Sequence, residues 1–232
     1  MNTKKLFFGI NVVLAIAVFV GNYFYMTVGG LKLKSLCSSG FALMGVINLV
    51  YAFLNKQKKL KFNVFMAIGL IFAMSGDIVL DLNFIAGAAL FAVGHIFYLT
   101  SYYILKKIKL LDIIVSAVLF IPAGAFVLFC PRLNFSTEIM KWVCFVYALI
   151  ISAMVGKAIS NFIRERNLLN FILMVGAILF FISDLMLLLR WFMNLGEWAG
   201  TLCLATYYPA ECILAYATFH YAAIQNKNKA TS

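Results

Sequence analysis

Five ionisable residues stand inside stretches that are otherwise apolar: Asp77, Asp81, Asp184, Glu211 and His95. At bilayer depth such a group is costly unless it faces protein or a water-filled cavity, so it marks acid–base chemistry or the passage of an ion or solute. Their spacing aligns further polar groups. Asp77 and Asp81 are i,i+4 and share a helix face; His95, Tyr98 and Tyr102 form an i,i+3,i+7 stripe; Tyr207 and Tyr208 stand four and three residues before Glu211. Pro209 deprives the carbonyl of Ala205 of its helical partner, a broken backbone that is tolerable at this depth only against protein or water.

The elements that must position these groups are membrane spans. The 232 residues are 65% hydrophobic and 12% charged, with a mean hydropathy of +1.00, which a soluble domain of this size could not bury. Crossing the hydrocarbon takes about 20 apolar residues. Eight stretches qualify: 6–25, 35–54, 62–82, 84–105, 111–129, 139–160, 168–189 and 198–221. Only Asp81-Leu82-Asn83 separates the third from the fourth, so a tight turn is expected there. The predicted fold is an all-α polytopic membrane protein of eight transmembrane helices, one transmembrane domain over 1–232, with no soluble domain interrupting the chain.

Basic residues orient it. With the N-terminus inside, thirteen Lys and Arg fall in cytoplasmic segments (Lys4, Lys5, Lys56, Lys58, Lys59, Lys61, Lys106, Lys107, Lys109, Arg164, Arg166, Lys227 and Lys229). Four fall on the other side (Lys32, Lys34, Arg132 and Arg190), and Lys141 and Lys157 lie in span ends. That bias predicts a multi-pass protein of the cell membrane with both termini cytoplasmic. The net charge of +11 is then a signal of topology and lipid head groups, and nucleic acid is not an expected partner. The first span resembles a signal peptide, with Lys4-Lys5 before the apolar run and Ala15-Ile16-Ala17 within it, but the run continues past that triplet and an uncleaved helix is expected. The five cysteines show no CxxC spacing; Cys37, Cys144, Cys203 and Cys212 read as packing residues.

Gly69-x7-Asp77-x2-Leu80 matches Gly176-x7-Asp184-x2-Leu187. The two helices run in the same direction, so the match fits a parallel 4+4 repeat that sets Asp77 and Asp184 across a central site. Helical rise places Asp77 about 7 Å and Asp184 about 9 Å outward of the middle of their spans, with His95 and Glu211 near the middle of theirs. Other polar residues have blander readings. Asp81 is near the interface and reads as a turn residue, His220 as an interface residue, Lys157 as a lysine snorkelling to the inner head groups, and Asn11, Asn22 and Asn48 as helix contacts.

Ser75-Gly76-Asp77, Gly94-His95-x2-Tyr98, Gly176-x6-Ser183-Asp184 and Thr201-x5-Tyr207-Tyr208-x-Ala210-Glu211, in that order, resemble the YhhN family of membrane proteins from about Phe62 onward. The first two spans add no motif. One departure is Glu211, where glutamine is expected in many members. Animal members are lysoplasmalogenases, so the resemblance implies hydrolysis of the vinyl ether of a one-chain ether phospholipid, giving a fatty aldehyde and a glycerophospho-alcohol. That reaction begins with proton transfer to carbon and passes through an oxocarbenium ion. A buried pair of carboxyls suits it, one kept protonated by burial and like-charge repulsion and the other ionised, as in glycosidases.

The pair expected to carry catalysis is Asp77 and Asp184, with His95 orienting a carboxyl or a water; Tyr98, Tyr207, Tyr208, Glu211 and Asp81 complete the substrate-binding lining. No cofactor is expected. With His220 far from the other groups, a single histidine is a poor start for a catalytic zinc site, so no metal is expected either. Two other classes compete: a small-molecule or ion carrier with a midplane carboxylate site, and a noncatalytic lipid-binding membrane protein. A carrier needs polar residues continuing into the cytoplasmic half, where the third, fourth, seventh and eighth spans are sparsely polar.

Overall fold

The computed structural model describes residues 3–57 and 59–230, the last four of these as backbone only. Of the charges expected on the cytoplasmic side, Lys58 lies outside the described residues, as do the side chains of Lys227 and Lys229. Eight α-helices and no strand occur among the described residues: α1 Thr3–Val28, α2 Leu31–Leu54, α3 Lys61–Leu80, α4 Phe84–Leu105, α5 Leu110–Phe129, α6 Glu138–Arg164, α7 Leu168–Met193 and α8 Glu197–Ala230. Local chemistry sets the breaks. Gly29 and Gly30 take φ of 75° and 98° between α1 and α2, a conformation that a side chain disfavours. Asn83 ends the three-residue turn after α3 and caps α4, its side chain accepting from the Ala86 amide at 3.0 Å. Asn167 caps α7 in the same way, accepting from Asn170 at 2.8 Å.

Among the described residues seven helices, α1 to α7, are long and apolar enough to cross a membrane. The eighth, expected from the sequence as a span, falls short by composition because it carries Tyr207, Tyr208, Pro209 and Glu211. Its place in the bundle explains this. α8 packs against α1, α2, α3 and α7, and residues from Ala199 to Ala223 are buried on most sides. A helix surrounded by protein has no need of an apolar surface. The molecule is inverted relative to a soluble protein: Val13, Ile16, Ile114, Val118 and Ile121 are exposed, whereas Asn48, Asn63, Ser152 and Glu211 are buried.

Small residues let the central helices approach. A Cβ on Gly76 of α3 would lie 2.9 Å from the Phe91 ring of α4, and one on Gly94 would lie 3.1 Å from the Gly69 carbonyl, so the α3–α4 contact is closed by glycines. Amides tie the periphery to the core. Asn11 and Asn48 exchange hydrogen bonds at 2.7 and 2.8 Å, and Asn48 donates to the Ala215 carbonyl at 2.9 Å.

One sequence-based expectation fails outright. Lys157 does not snorkel: it is fully buried, 2.7 Å from Asp112 and over the ring of Tyr103 at 4.4 Å. Asp112 also accepts from Ser160 at 2.5 Å. A carboxylate on α5 offers the ammonium a closer partner than any head group, and the pair fastens α5 to α6.

Candidate functional site

A cavity of about 380 Å³ lies among α1 to α4, α7 and α8, lined by Asp77, Asp81, Asp184, Lys34, Arg190 and Tyr207 among others. Asp77 is 4% exposed and is held from two helices. From α2, Lys34 Nζ lies 3.2 Å from Oδ1 and Ser38 donates to Oδ2 at 2.5 Å; from α8, Tyr208 donates to Oδ2 at 3.1 Å. Read from the sequence, Lys34 is an outward loop charge. In the structure it lies in the first turn of α2, is 4% exposed, and joins Asp77 to Asp81, which it meets at 2.9 Å. Asp81 follows α3 directly, at the turn where it was expected, and its side chain is 41% exposed.

Asp184 on α7 is held from the two other helices that flank the centre. Tyr147 of α6 donates to Oδ2 at 2.6 Å, and His95 Nε2 of α4 lies 3.3 Å from the same oxygen and 2.8 Å from the Tyr147 hydroxyl. Both contacts are made to Oδ2, which leaves Oδ1 without a hydrogen-bond partner among the described residues. His95 is buried edge-on against Phe180, ring centroids 4.6 Å apart, and this fixes its orientation. The two aspartates thus have contrasting surroundings: Asp77 sits beside a cation, Asp184 beside a phenol and an imidazole.

Of the other residues singled out in the sequence, Tyr207 lines the cavity, with its ring packed edge-on against Phe41, Phe91 and Phe180 and its hydroxyl donating to the Ala73 carbonyl at 3.3 Å. Tyr208 stands behind Asp77. Tyr98 and Glu211 form a separate pair, fully buried, with the phenol donating to Oε2 at 2.7 Å; neither lines the cavity. Sequence reasoning missed Lys34, Ser38 and Tyr147. The first two stand four apart on one face of α2, a signal that could have found them, and a tyrosine deep in an apolar span requires a partner for its hydroxyl.

A second, apolar cleft of about 90 Å³ adjoins the first and is lined by α3 to α7, including Phe84, Phe126, Tyr147 and Asp184. Leu80, Phe91, Asp184 and Leu187 line both spaces, so Asp184 stands where a polar chamber meets an apolar one. Among the described residues no three His, Cys, Asp or Glu side chains converge on a point that could hold a metal ion.

A family model described as the YhhN family matches residues 37–218. The match reaches back over most of α2, taking in Ser38, where sequence motifs alone marked only the region from about Phe62. No curated protein and no solved structure matches the chain.

Proposed function

We propose, on the premise that this chain belongs to the YhhN family, that it is a membrane hydrolase of the lysoplasmalogenase type, cleaving the vinyl ether of a one-chain phospholipid. The observation that carries this reading is that Asp77 and Asp184 line one chamber and that Asp184 also lines an apolar cleft. An amphiphile with its reacting bond between head and chain would set that bond at Asp184.

The contrast between the carboxyls divides the labour. Asp184 is the acid, its Oδ1 without a hydrogen-bond partner among the described residues, with Tyr147 and His95 positioning the group through Oδ2. It delivers a proton to the vinyl carbon remote from oxygen, and the adjoining carbon and oxygen share the positive charge. Asp77, ionised beside Lys34, is the negative charge that offsets this oxocarbenium ion. Water adds to the cation and returns a proton to Asp184. The hemiacetal so formed collapses to a fatty aldehyde and a glycerophospho-alcohol, with one water consumed and the acid restored. Tyr208 and Ser38 position Asp77, Asp81 shares its lysine, Tyr207 walls the chamber, and Tyr98 with Glu211 supports it from behind.

Two features of the fold belong with this reading. The first is a parallel 4+4 repeat, supported by the partners of the aspartates: Asp77 on α3 is held from α2 and α8, Asp184 on α7 from α6 and α4. Adding four to each helix number, and counting cyclically, exchanges the two sets. The spacing from His95 to Tyr98 also equals that from Tyr208 to Glu211, so the Tyr98–Glu211 hydrogen bond would join equivalent positions at the repeat axis. The second is that α8 crosses the membrane as well. Its 34 residues would extend about 51 Å at 1.5 Å per residue, and an eighth span puts both termini on one side, which the bias of basic residues makes the cytoplasm.

The test is turnover of a lysoplasmalogen by purified protein, with aldehyde measured by mass spectrometry. Asp184→Asn and Asp77→Asn should each reduce it by about 10²–10⁴-fold, the range typical of general acid–base catalysis, in protein that still folds. Absence of aldehyde from the wild type, or full activity in folded Asp184→Asn, overturns the proposal.

A further inference from the structure

Among the described residues the chamber is lined by two cations, of which one is engaged. Lys34 is taken by Asp77 and Asp81. Arg190, on the last turns of α7, lines the same chamber, is exposed, and among the described residues makes neither an ion pair nor a hydrogen bond. Its guanidinium is nevertheless placed. A Cβ on Gly200 of α8 would lie 2.8 Å from Nη1, 2.9 Å from Cζ and 3.0 Å from Nε, so the group lies flat on a stretch of α8 that is free of side chain. Such a planar fork, with its donors unspent, suits a phosphate.

We propose that Arg190, seated on Gly200, binds the phosphate of a single-chain phospholipid whose hydrocarbon chain enters the apolar cleft beyond Asp184. Distances along the chain fit. Arg190 is six residues past Asp184, about 9 Å along the helix. In a one-chain ether phospholipid, six bonds of about 1.5 Å separate the ether-bearing carbon from phosphorus, an extended reach of roughly 8 Å. The cleft is apolar, with a volume of about 90 Å³, and admits the first carbons of a hydrocarbon chain. This deepens the proposed function and rests on it for the bond that reacts, not for the binding.

Binding is therefore tested with lipids that cannot be cleaved. Titration calorimetry in an uncharged detergent compares 1-O-hexadecyl-glycerophosphoethanolamine, 1-O-hexadecylglycerol and chainless glycerophosphoethanolamine. The wild type should bind the first about ten- to a hundredfold more tightly than the second, the scale of a charge-assisted pair, and the third more weakly than the first. Arg190→Gln should remove the preference for phosphate while leaving affinity for the glycerol ether unchanged, and Arg190→Lys should restore part of it. Gly200→Ala, which displaces the guanidinium without altering charge, should reduce the same preference. A wild type indifferent to phosphate, a preference that survives Arg190→Gln, or equal binding of the chainless compound overturns the assignment, and an unchanged Gly200→Ala overturns the seat on α8. If the preference depends on Arg190 but no vinyl ether is cleaved, the hydrolase reading fails and this one stands.

Discussion

Lys34 offers the sharpest test of how the site is held together. Lys34→Met keeps an unbranched side chain one atom shorter and removes its charge, leaving Asp77 buried without a counter-ion. Breaking a buried pair from one side costs about 3–5 kcal/mol. Here Ser38 and Tyr208 still donate to the carboxylate, so the lower end, about 3 kcal/mol, is expected. For a chain of this size that is a fall in melting temperature of about 6–12 °C, at roughly 2–4 °C per kcal/mol. Asp77→Asn should cost only about 1 kcal/mol, because the amide oxygen still accepts a hydrogen bond and Lys34 keeps Asp81 at 2.9 Å. In the double variant neither charge is left alone. It should be little worse than Asp77→Asn, giving a coupling of about 3 kcal/mol. Thermal unfolding of the four proteins in one detergent, followed by intrinsic fluorescence, measures this. Losses that simply add, for a total near 4 kcal/mol, would show that Lys34 and Asp77 do not depend on each other and that the carboxylate is stabilised by something else.

Lys157→Met should destabilise the protein by about 3 kcal/mol, the lower end of the same range, since Asp112 would lose its ammonium at 2.7 Å but keep the Ser160 hydroxyl and the Arg164 guanidinium at 3.6 Å; because neither Lys157 nor Asp112 lines the chamber, turnover per folded molecule should stay at the wild-type level, and a loss of turnover without a loss of stability would contradict this. Reporter fusions at Ser232 and in the loop 56–61 should read cytoplasmic and one in 134–137 extracytoplasmic; an outward C-terminus would mean that α8 does not cross.

Composition and the spacing of polar breaks were enough to predict an all-helical chain, the turn at Asp81-Leu82-Asn83, and the prominence of Asp77, Asp184 and His95. These signals survive in one dimension because a span is a local property of about twenty residues and a carboxyl within it is conspicuous wherever the chain goes next. The order of its motifs also carried the family resemblance. Tertiary structure decided the rest. Lys34 and Lys157 look alike to any count of charges near span ends, and both prove to be buried because a carboxylate on a neighbouring helix, 43 residues away for Asp77 and 45 for Asp112, supplies what water or head groups otherwise would. Tyr147 gains meaning only when α6 is set against α7, and Glu211, grouped in sequence with the aspartates, turns away to Tyr98. Which helix lies at the centre also escaped the sequence. Hydropathy records how apolar a helix is, whereas the need to be apolar depends on whether lipid or protein surrounds it, and that is settled by packing between residues distant in the chain.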